Sequence, residues 1–406
     1  MPSDLNHQHG QSLKRLLEKI GLIVPYELAP GVITFLTFLG YKIKALWTPN
    51  TDYTIRAASD YEIPFVATQP DEVLLRKDVQ LVIITGYPSM TPQVITKALG
   101  VGKHVVCDVP LAMNGDHLVK IIQAVEYYPQ LLAFNCYGMR AMNIYKEAKR
   151  LIGKGLIGSL NACEVKVKSG SLSCDQYNWT HDRHAGGGVL NLVGSHVIDL
   201  LTYLFDRRAV RVSGFVQCIP LSDASNASAT DVRTRTVYRK TCADNFACFV
   251  LHFDGDFYVS VTLNALGSPD YFQEVLICGS VGQLVARNTS LFYVDLADSS
   301  PVEQLVCSES PTCQEVPFDY DECSDPRKRP SQHFLILYRL TFMKSLEVLH
   351  RSLFDSEART ADTSSALSHH GHIGDLTNFN DMLYVKSVID AIRKSNDKKE
   401  WMKISS

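Results

Sequence analysis

The stretch Gly186-Gly187-Gly188-Val189-Leu190-Asn191-Leu192-Val193-Gly194-Ser195-His196-Val197-Ile198-Asp199 concentrates residue types that chemistry needs. Three successive glycines weaken regular structure and permit positive φ, so they mark backbone that bends sharply or passes close to a ligand. His196 and Asp199 lie three residues apart and share one face if the segment is helical. A histidine there titrates near neutrality and can accept or return a proton. The competing reading is a glycine bulge followed by a helix whose histidine is merely hydrogen-bonded. Tyr177 and Trp179, just upstream, would either line a sugar-binding cleft with their aromatic faces or pack in a core. Trp179, Asn191 and His196 are the candidate substrate contacts.

Such a segment works only if other elements hold it. Apolar runs at 21–24, 41–47, 80–85 and 104–108 read as strands, with helical candidates near 31–39, 91–99 and 115–127 between them. This alternation is the signature of βαβ units around a parallel sheet. Leu81-Val82-Ile83-Ile84 is apolar on both faces, as a central strand between helix layers must be. From 160 to 296 the pattern alternates between apolar and polar residues and predicts an antiparallel sheet with one wet face. Residues 297–330 carry five prolines among acids and serines and read as a long surface loop. Helical stripes at 332–354 and 381–393 close the chain. The predicted fold class is α/β: a Rossmann-like doubly wound parallel sheet, then an α+β domain with a large, mostly antiparallel open sheet. The predicted boundaries are 1–20 for a polar extension, 21–135 for the first domain and 136–396 for the second.

Composition excludes several functions. With 406 residues, the chain is long enough for two or three domains. Hydrophobic residues at 46% and charged ones at 20% are ordinary for globular proteins. Lys plus Arg total 40 against Asp plus Glu 43, a net −3, which builds no basic field for nucleic acid. Eleven cysteines without a C-x-x-C pair spell neither a disulfide framework nor a zinc motif. His369, His370 and His372 cluster without a carboxylate or thiol beside them, so no metal is expected. No apolar run reaches the length of a membrane span. The polar amino terminus lacks the apolar region of a signal peptide, which predicts a cytoplasmic protein. The sequons at Asn178, Asn226 and Asn288 leave open secretion by a route without a readable signal.

Gly102-Lys103-His104-Val105-Val106-Cys107-Asp108-Val109-Pro110, the triple glycine with Gly194-Ser195-His196 and Asp199, and the closing Ala391-Ile392-Arg393-Lys394-Ser395 together resemble the Gfo/Idh/MocA oxidoreductase family. Tyr177-Asn178-Trp179 before the glycines and Ile198-Asp199-Leu200-Leu201-Thr202 after them look like its animal branch, the glucose-fructose oxidoreductase domain-containing proteins. The resemblance implies a Rossmann domain binding NAD or NADP, and an open-sheet domain that holds a sugar-like substrate and often pairs subunits into a homo-oligomer. It further implies hydride transfer, with a Glu-Lys-Pro lysine and an Asp-x-x-x-His pair managing the hydroxyl proton.

Matched residue by residue, the motifs are altered. The three glycine positions of a dinucleotide turn fall near Val24, Tyr26 and Ala29, with Pro25 between, whereas such a turn needs small residues for close approach of a pyrophosphate. Glu-Lys-Pro aligns with Asp108-Val109-Pro110, which replaces the amine by an isopropyl group; Lys103 lies too early to substitute. His196 is kept, but Leu192 stands where the aspartate belongs. The catalytic candidates are therefore His196 and Asp108. Gly21, Tyr26, Thr48, Gly86, Tyr87 and Asp108 are the candidate cofactor contacts, and Thr48 carries neither the acid nor the arginine that would separate NAD from NADP. Arg140 either anchors an anion or pairs with a neighbouring charge. Two functions stay open: an NAD(P)-dependent oxidoreductase acting on a sugar-like or cyclic alcohol, weakened or lost, or a pseudoenzyme that senses a ligand or binds a protein partner and uses no cofactor.

Overall fold

The computed structural model describes residues 17–110, 112, 114–170, 179–219, 228–230, 236–238, 243–266, 271–309, 336, 338–354 and 377–405. Tyr177, Asn178, Asn226, the three loop histidines, the start of the 332–354 helix and residues 310–330 lie outside this set. The chain divides into two compact units, the first built from 17–136 with 345–354 and 377–380, the second from the remaining described residues.

In the first unit, strands β1 (Lys19–Ile23), β2 (Lys42–Trp47), β3 (Leu81–Ile84), β4 (His104–Cys107) and β5 (Ala133–Asn135) form a sheet in the order β2-β1-β3-β4-β5. Every pairing is parallel. All four residues of β3 are buried, as a strand covered on both faces requires. Helices α1 (Ala29–Phe38), α2 (Thr51–Asp60), α3 (Pro70–Leu74), α4 (Thr91–Gly100) and α5 (Gly115–Tyr127) connect the strands. Asn50 opens α2 by accepting the Tyr53 amide at 3.0 Å, and Asn114 opens α5 by accepting that of His117 at 3.0 Å. The sequence reading passed over α2, α3 and β5, which are short or carry a weak apolar stripe.

The second unit starts with α6 (Asn143–Gly153) and β6 (Leu160–Lys168), and a π-helical turn, Leu190–Gly194, runs into α7 (Ser195–Phe205). There follow β7 (Ala209–Gln217), the hairpin β8 (Ser228–Thr230) and β9 (Thr236–Tyr238), β10 (Phe246–Phe253), β11 (Phe257–Asn264), β12 (Phe272–Gly279), β13 (Gly282–Arg287), β14 (Ser290–Asp295) and β15 (Gln304–Ser308). Helix α8 (Lys344–Phe354) belongs to the first unit from Ser345 on, and the second unit ends in α9 (Phe379–Lys398), from Asp381 on, and β16 (Met402–Lys403). Nine strands form one sheet, β15-β14-β13-β12-β6-β11-β10-β7-β16. It is antiparallel except where β11 runs parallel to β6. Along β10, Ala247, Phe249, Leu251 and Phe253 point inward and the intervening residues outward, the alternation of a sheet with one covered face. One expectation is corrected: residues 304–308, placed in the surface loop, extend the sheet as its edge strand by pairing with β14. Proline density marks that region, but the short apolar run Leu305-Val306-Cys307 sufficed for a strand.

One described stretch, Arg183–Phe205, is long and apolar enough to cross a membrane by length and composition, and 89% of its apolar window is buried inside the protein. That is the burial of a core helix.

Candidate functional site

In the first unit, the candidate cofactor contacts Tyr26, Thr48, Gly86, Tyr87 and Asp108 gather at the carboxyl ends of β1, β2, β3 and β4, where doubly wound sheets bind ligands, while Gly21 does not. The turn between β1 and α1 is filled by the protein itself. Gly86 has φ +76°, and a side chain built there would meet Pro25 Cγ at 2.4 Å. The close approach that Gly86 permits is thus to a proline ring. A pyrophosphate at a helix amino terminus is held by free backbone amides. Here the Val24 amide donates to Trp47 O at 3.1 Å, and those of Leu28 and Ala29 donate to Pro25 O at 3.0 and 3.1 Å. Pro25 and Pro30 have no N–H to give. Tyr26 packs its ring on Tyr53 with centroids 5.9 Å apart. Burial raises the Tyr87 phenol, and the nearby Glu27 carboxylate adds to that rise. These residues do not fit a dinucleotide in the usual pose.

The other candidates have local work. Gly21 lies within β1, and its missing side chain makes room for Val73 Cγ1, 2.4 Å from the would-be Cβ. Thr48 shares a 2.8 Å hydrogen bond with Thr54 and donates to Asn50 O at 3.0 Å, which fastens the start of α2. Tyr87 adopts φ 42° at the head of α4. Lys103, excluded as a catalytic amine by its position, donates to the carbonyls of Arg76 and Val79 at 2.8 and 2.7 Å.

Asp108 is 9% exposed, at the end of β4. Its Oδ2 accepts the Thr85 hydroxyl at 3.0 Å and its Oδ1 the Val109 amide at 2.8 Å. Burial pushes its carboxyl up to about 7, against those two bonds. The sequence reading missed Thr85 as its partner. A signal existed: β3 and β4 pair in parallel with Ile84 opposite Cys107, which sets the next residues, Thr85 and Asp108, side by side.

In the second unit the triple glycine, the π-turn and α7 form one device. Gly186 and Gly188 have φ 95° and 102°. A side chain on Gly187 would strike the Thr180 carbonyl oxygen at 2.2 Å, and one on Gly188 would strike the Asp244 carboxylate at 2.5 Å. Asp244 is the residue for which Gly188 makes way. Its Oδ2 accepts the Leu190 amide at 2.8 Å and its backbone carbonyl the Val189 amide at 2.7 Å, so it caps the helix that carries His196. Asn191 braces the same loop by donating to Gly186 O at 3.0 Å and Gly187 O at 3.1 Å. Nothing in the sequence tied Asp244 to a loop more than fifty residues earlier. Trp179 opens a 3₁₀ turn and is half-buried.

His196 is 3% exposed and sets its ring edge-on to Tyr137, centroids 5.5 Å apart at 83°. Its Nδ1 is buried without a hydrogen-bond partner, and burial pushes the imidazole down to about 3, which leaves it neutral at physiological pH. Asp199 engages Arg140 instead: Nε donates at 2.8 Å and Nη2 completes the pair, while Nη1 lies 3.6 Å from Asp381. Of the two readings of Arg140, the structure has the pairing one. Burial raises Asp199 to about 6, with Arg140 pulling it back. No cluster of three or more metal-ligating side chains occurs among the described residues. Among the described residues, Cys107, Cys136, Cys163, Cys248, Cys278 and Cys307 are free thiols.

A parallel dinucleotide-type sheet followed by a large open sheet is the architecture of a class of two-domain oxidoreductases, and comparisons with known proteins specify which. A model described as an oxidoreductase family with an NAD-binding Rossmann fold matches residues 20–135, and one for the GFO/IDH/MocA C-terminal domain matches residues 145–285. The mouse (Mus musculus) protein described as glucose-fructose oxidoreductase domain-containing protein 1 is 30% identical over 393 residues, covering 96% of this chain and 93% of its own. Among solved structures, levoglucosan dehydrogenase in complex with NADH and levoglucosan is similar with a TM-score of 0.70 at 18% identity, covering 96% of this chain and 99% of that one. A super-repressor mutant of Gal80p from Saccharomyces cerevisiae is similar with a TM-score of 0.70 at 13% identity, covering 95% and 97%. The chain belongs to the Gfo/Idh/MocA family and resembles its glucose-fructose oxidoreductase domain-containing members throughout its length.

Proposed function

We propose that this chain keeps the Gfo/Idh/MocA oxidoreductase scaffold while its hydride-transfer activity is weak or lost, and that it acts in ligand sensing or partner binding. The observation that carries this reading is Pro25 seated against Gly86, with the Val24, Leu28 and Ala29 amides bonded within the protein. The neutral His196, whose Nδ1 has no hydrogen-bond partner, adds support, because an imidazole held near 3 is a poor proton acceptor at neutral pH. The solved relative described as a super-repressor is a precedent for this fold only.

A second reading has one observation in its favour. Asp108, held near 7 and oriented by Thr85, is a carboxyl able to give or take a proton at neutral pH. It would serve an oxidoreductase acting on a sugar-like or cyclic alcohol whose cofactor, NAD or NADP, lies in a displaced pose.

Calorimetric titration with NADH and NADPH separates the two. The first reading expects no heat from the native chain, and a gain of about tenfold or more in affinity when Pro25→Gly and Tyr26→Gly together restore a donor and clear the space over Gly86. Micromolar binding by the native chain, about −8 kcal/mol, would overturn it in favour of the second.

A further inference from the structure

The second unit contains two arginine–aspartate pairs of different completeness, one buried and one part-buried. Arg140 grips Asp199 through both Nε and Nη2. Arg393, on α9, reaches Asp244 only through Nη2, at 3.4 Å, and its Nε is buried with no acceptor. The cause is Asp244's other duty: its Oδ2 is held by the Leu190 amide at the head of the π-turn, so the carboxylate cannot turn to close on the guanidinium. In front of Arg393 a small cleft, with a cavity volume of about 70 Å³, opens to solvent, lined by Arg183, Gln217, Asp244, Asn396 and Asp397 among others. That is room for a group of a few heavy atoms, well below a drug-sized pocket.

We propose that this cleft binds the carboxylate of a small organic acid against Arg393. The Nε edge is shut in, which leaves the outer edge, Nη1 and Nη2, to meet a planar two-oxygen anion with parallel hydrogen bonds. Arg183 brings a second positive charge to the same wall, and Gln217 and Asn396 bring amides for hydroxyl or carbonyl groups. Asp244 and Asp397 set the ligand's charge: beside two carboxylates, a singly charged carboxylate is repelled less than a doubly charged phosphate monoester. Asp244 itself, 3.4 Å from Nη2, marks where such an oxygen sits. A ligand on Arg393 relieves Asp244 of that contact, and Asp244 caps the helix bearing His196, so occupancy is transmitted to the Gly188 loop. The proposal is independent of the cofactor turn, whose residues all belong to the other unit.

The full chain is titrated by calorimetry with acetate, L-lactate and inorganic phosphate at fixed ionic strength. The expected result is binding of acetate or lactate, weaker binding of phosphate, and a loss of about tenfold or more in Arg393→Gln shown to be folded by circular dichroism. Asp244→Asn keeps an acceptor for the Leu190 amide but removes the competing charge, and it is expected to tighten carboxylate binding severalfold. Preference for phosphate overturns the carboxylate assignment. Unchanged affinity in folded Arg393→Gln, or no carboxylate heat up to about 10 mM in the native chain, overturns the site. If Arg393→Gln does not fold, Asp244→Asn decides, and unchanged affinity there counts against the proposal.

Discussion

The turn at residues 24–29 and the loop at 186–191 answer one problem in opposite ways. Each brings backbone to within van der Waals contact of another group, and in each a glycine with positive φ makes that possible. At Gly86 the neighbour is the Pro25 ring, and the surrounding amides close on Pro25's own carbonyl. At Gly188 the neighbour is the Asp244 carboxylate, which organises a helix cap and leaves Arg393 partly unsatisfied. The first arrangement is apolar and finished. The second is polar and retains unused donor capacity, which is why it and not the turn has room for a ligand. A glycine therefore signals close approach without telling what approaches.

The largest expected effect tests that contrast. Gly188→Ala and Gly86→Ala each combine backbone strain of about 1–3 kcal/mol with overpacking of about 1–3 kcal/mol. Pro25→Ala should recover much of the loss in the Gly86→Ala background, since the clash there is with one ring. Asp244→Ala should recover none in Gly188→Ala, because it also removes the helix cap. Urea denaturation of the single and double variants checks both statements, and equal rescue at the two sites would break the comparison.

The next effect is on acid stability. The folded pKa of His196 is depressed below its unfolded value of about 6.5, so the stability it contributes is present above that pH and is lost as pH falls toward about 3. Even one or two units of depression amount to about 1–3 kcal/mol. His196→Gln should flatten the fall in melting temperature between about pH 6.5 and 4, with little change at pH 8. A profile parallel to the native one would mean that His196 is not buried neutral.

Asp108 gives the smallest effect, with the opposite sign. Its folded pKa is raised to about 7, so the stability it contributes is present below the unfolded value of about 3.9 and is lost as pH rises to about 7. That value already nets out its bonds to Thr85 and Val109, and each tenfold change in proton affinity amounts to on the order of 1 kcal/mol. Asp108→Asn should be more stable than the native chain at pH 8 and nearly equal at pH 4. Equal melting at both pH values would show the carboxyl to be solvated and of ordinary acidity.

Much of the architecture was legible because it follows from local periodicity. The doubly apolar β3 and the alternation in β10 and β11 state their environments residue by residue. The weak elements were lost for the same reason: α3 has five residues and β5 three, too few for a period to be counted. At the candidate site, the sequence displayed the missing lysine and aspartate, the displaced glycines, and His196 with its neighbours. It did not display Pro25 against Gly86, which depends on two strand ends lying side by side. Nor did it display Asp244 behind Gly188, brought there by the strand that follows it.

The sequence by itself determined the family scaffold, the order of parallel and then antiparallel sheet, and which motif residues are present, because these reside in residue type and short-range spacing. Tertiary structure alone decided that Asp108 is held near 7 by burial beside Thr85, that His196 is neutral against Tyr137 with its Nδ1 unpartnered, and that Asp199 belongs to Arg140. Protonation and partnership depend on dielectric surroundings and on distances between residues far apart in the chain, and both come into being only when the chain has packed.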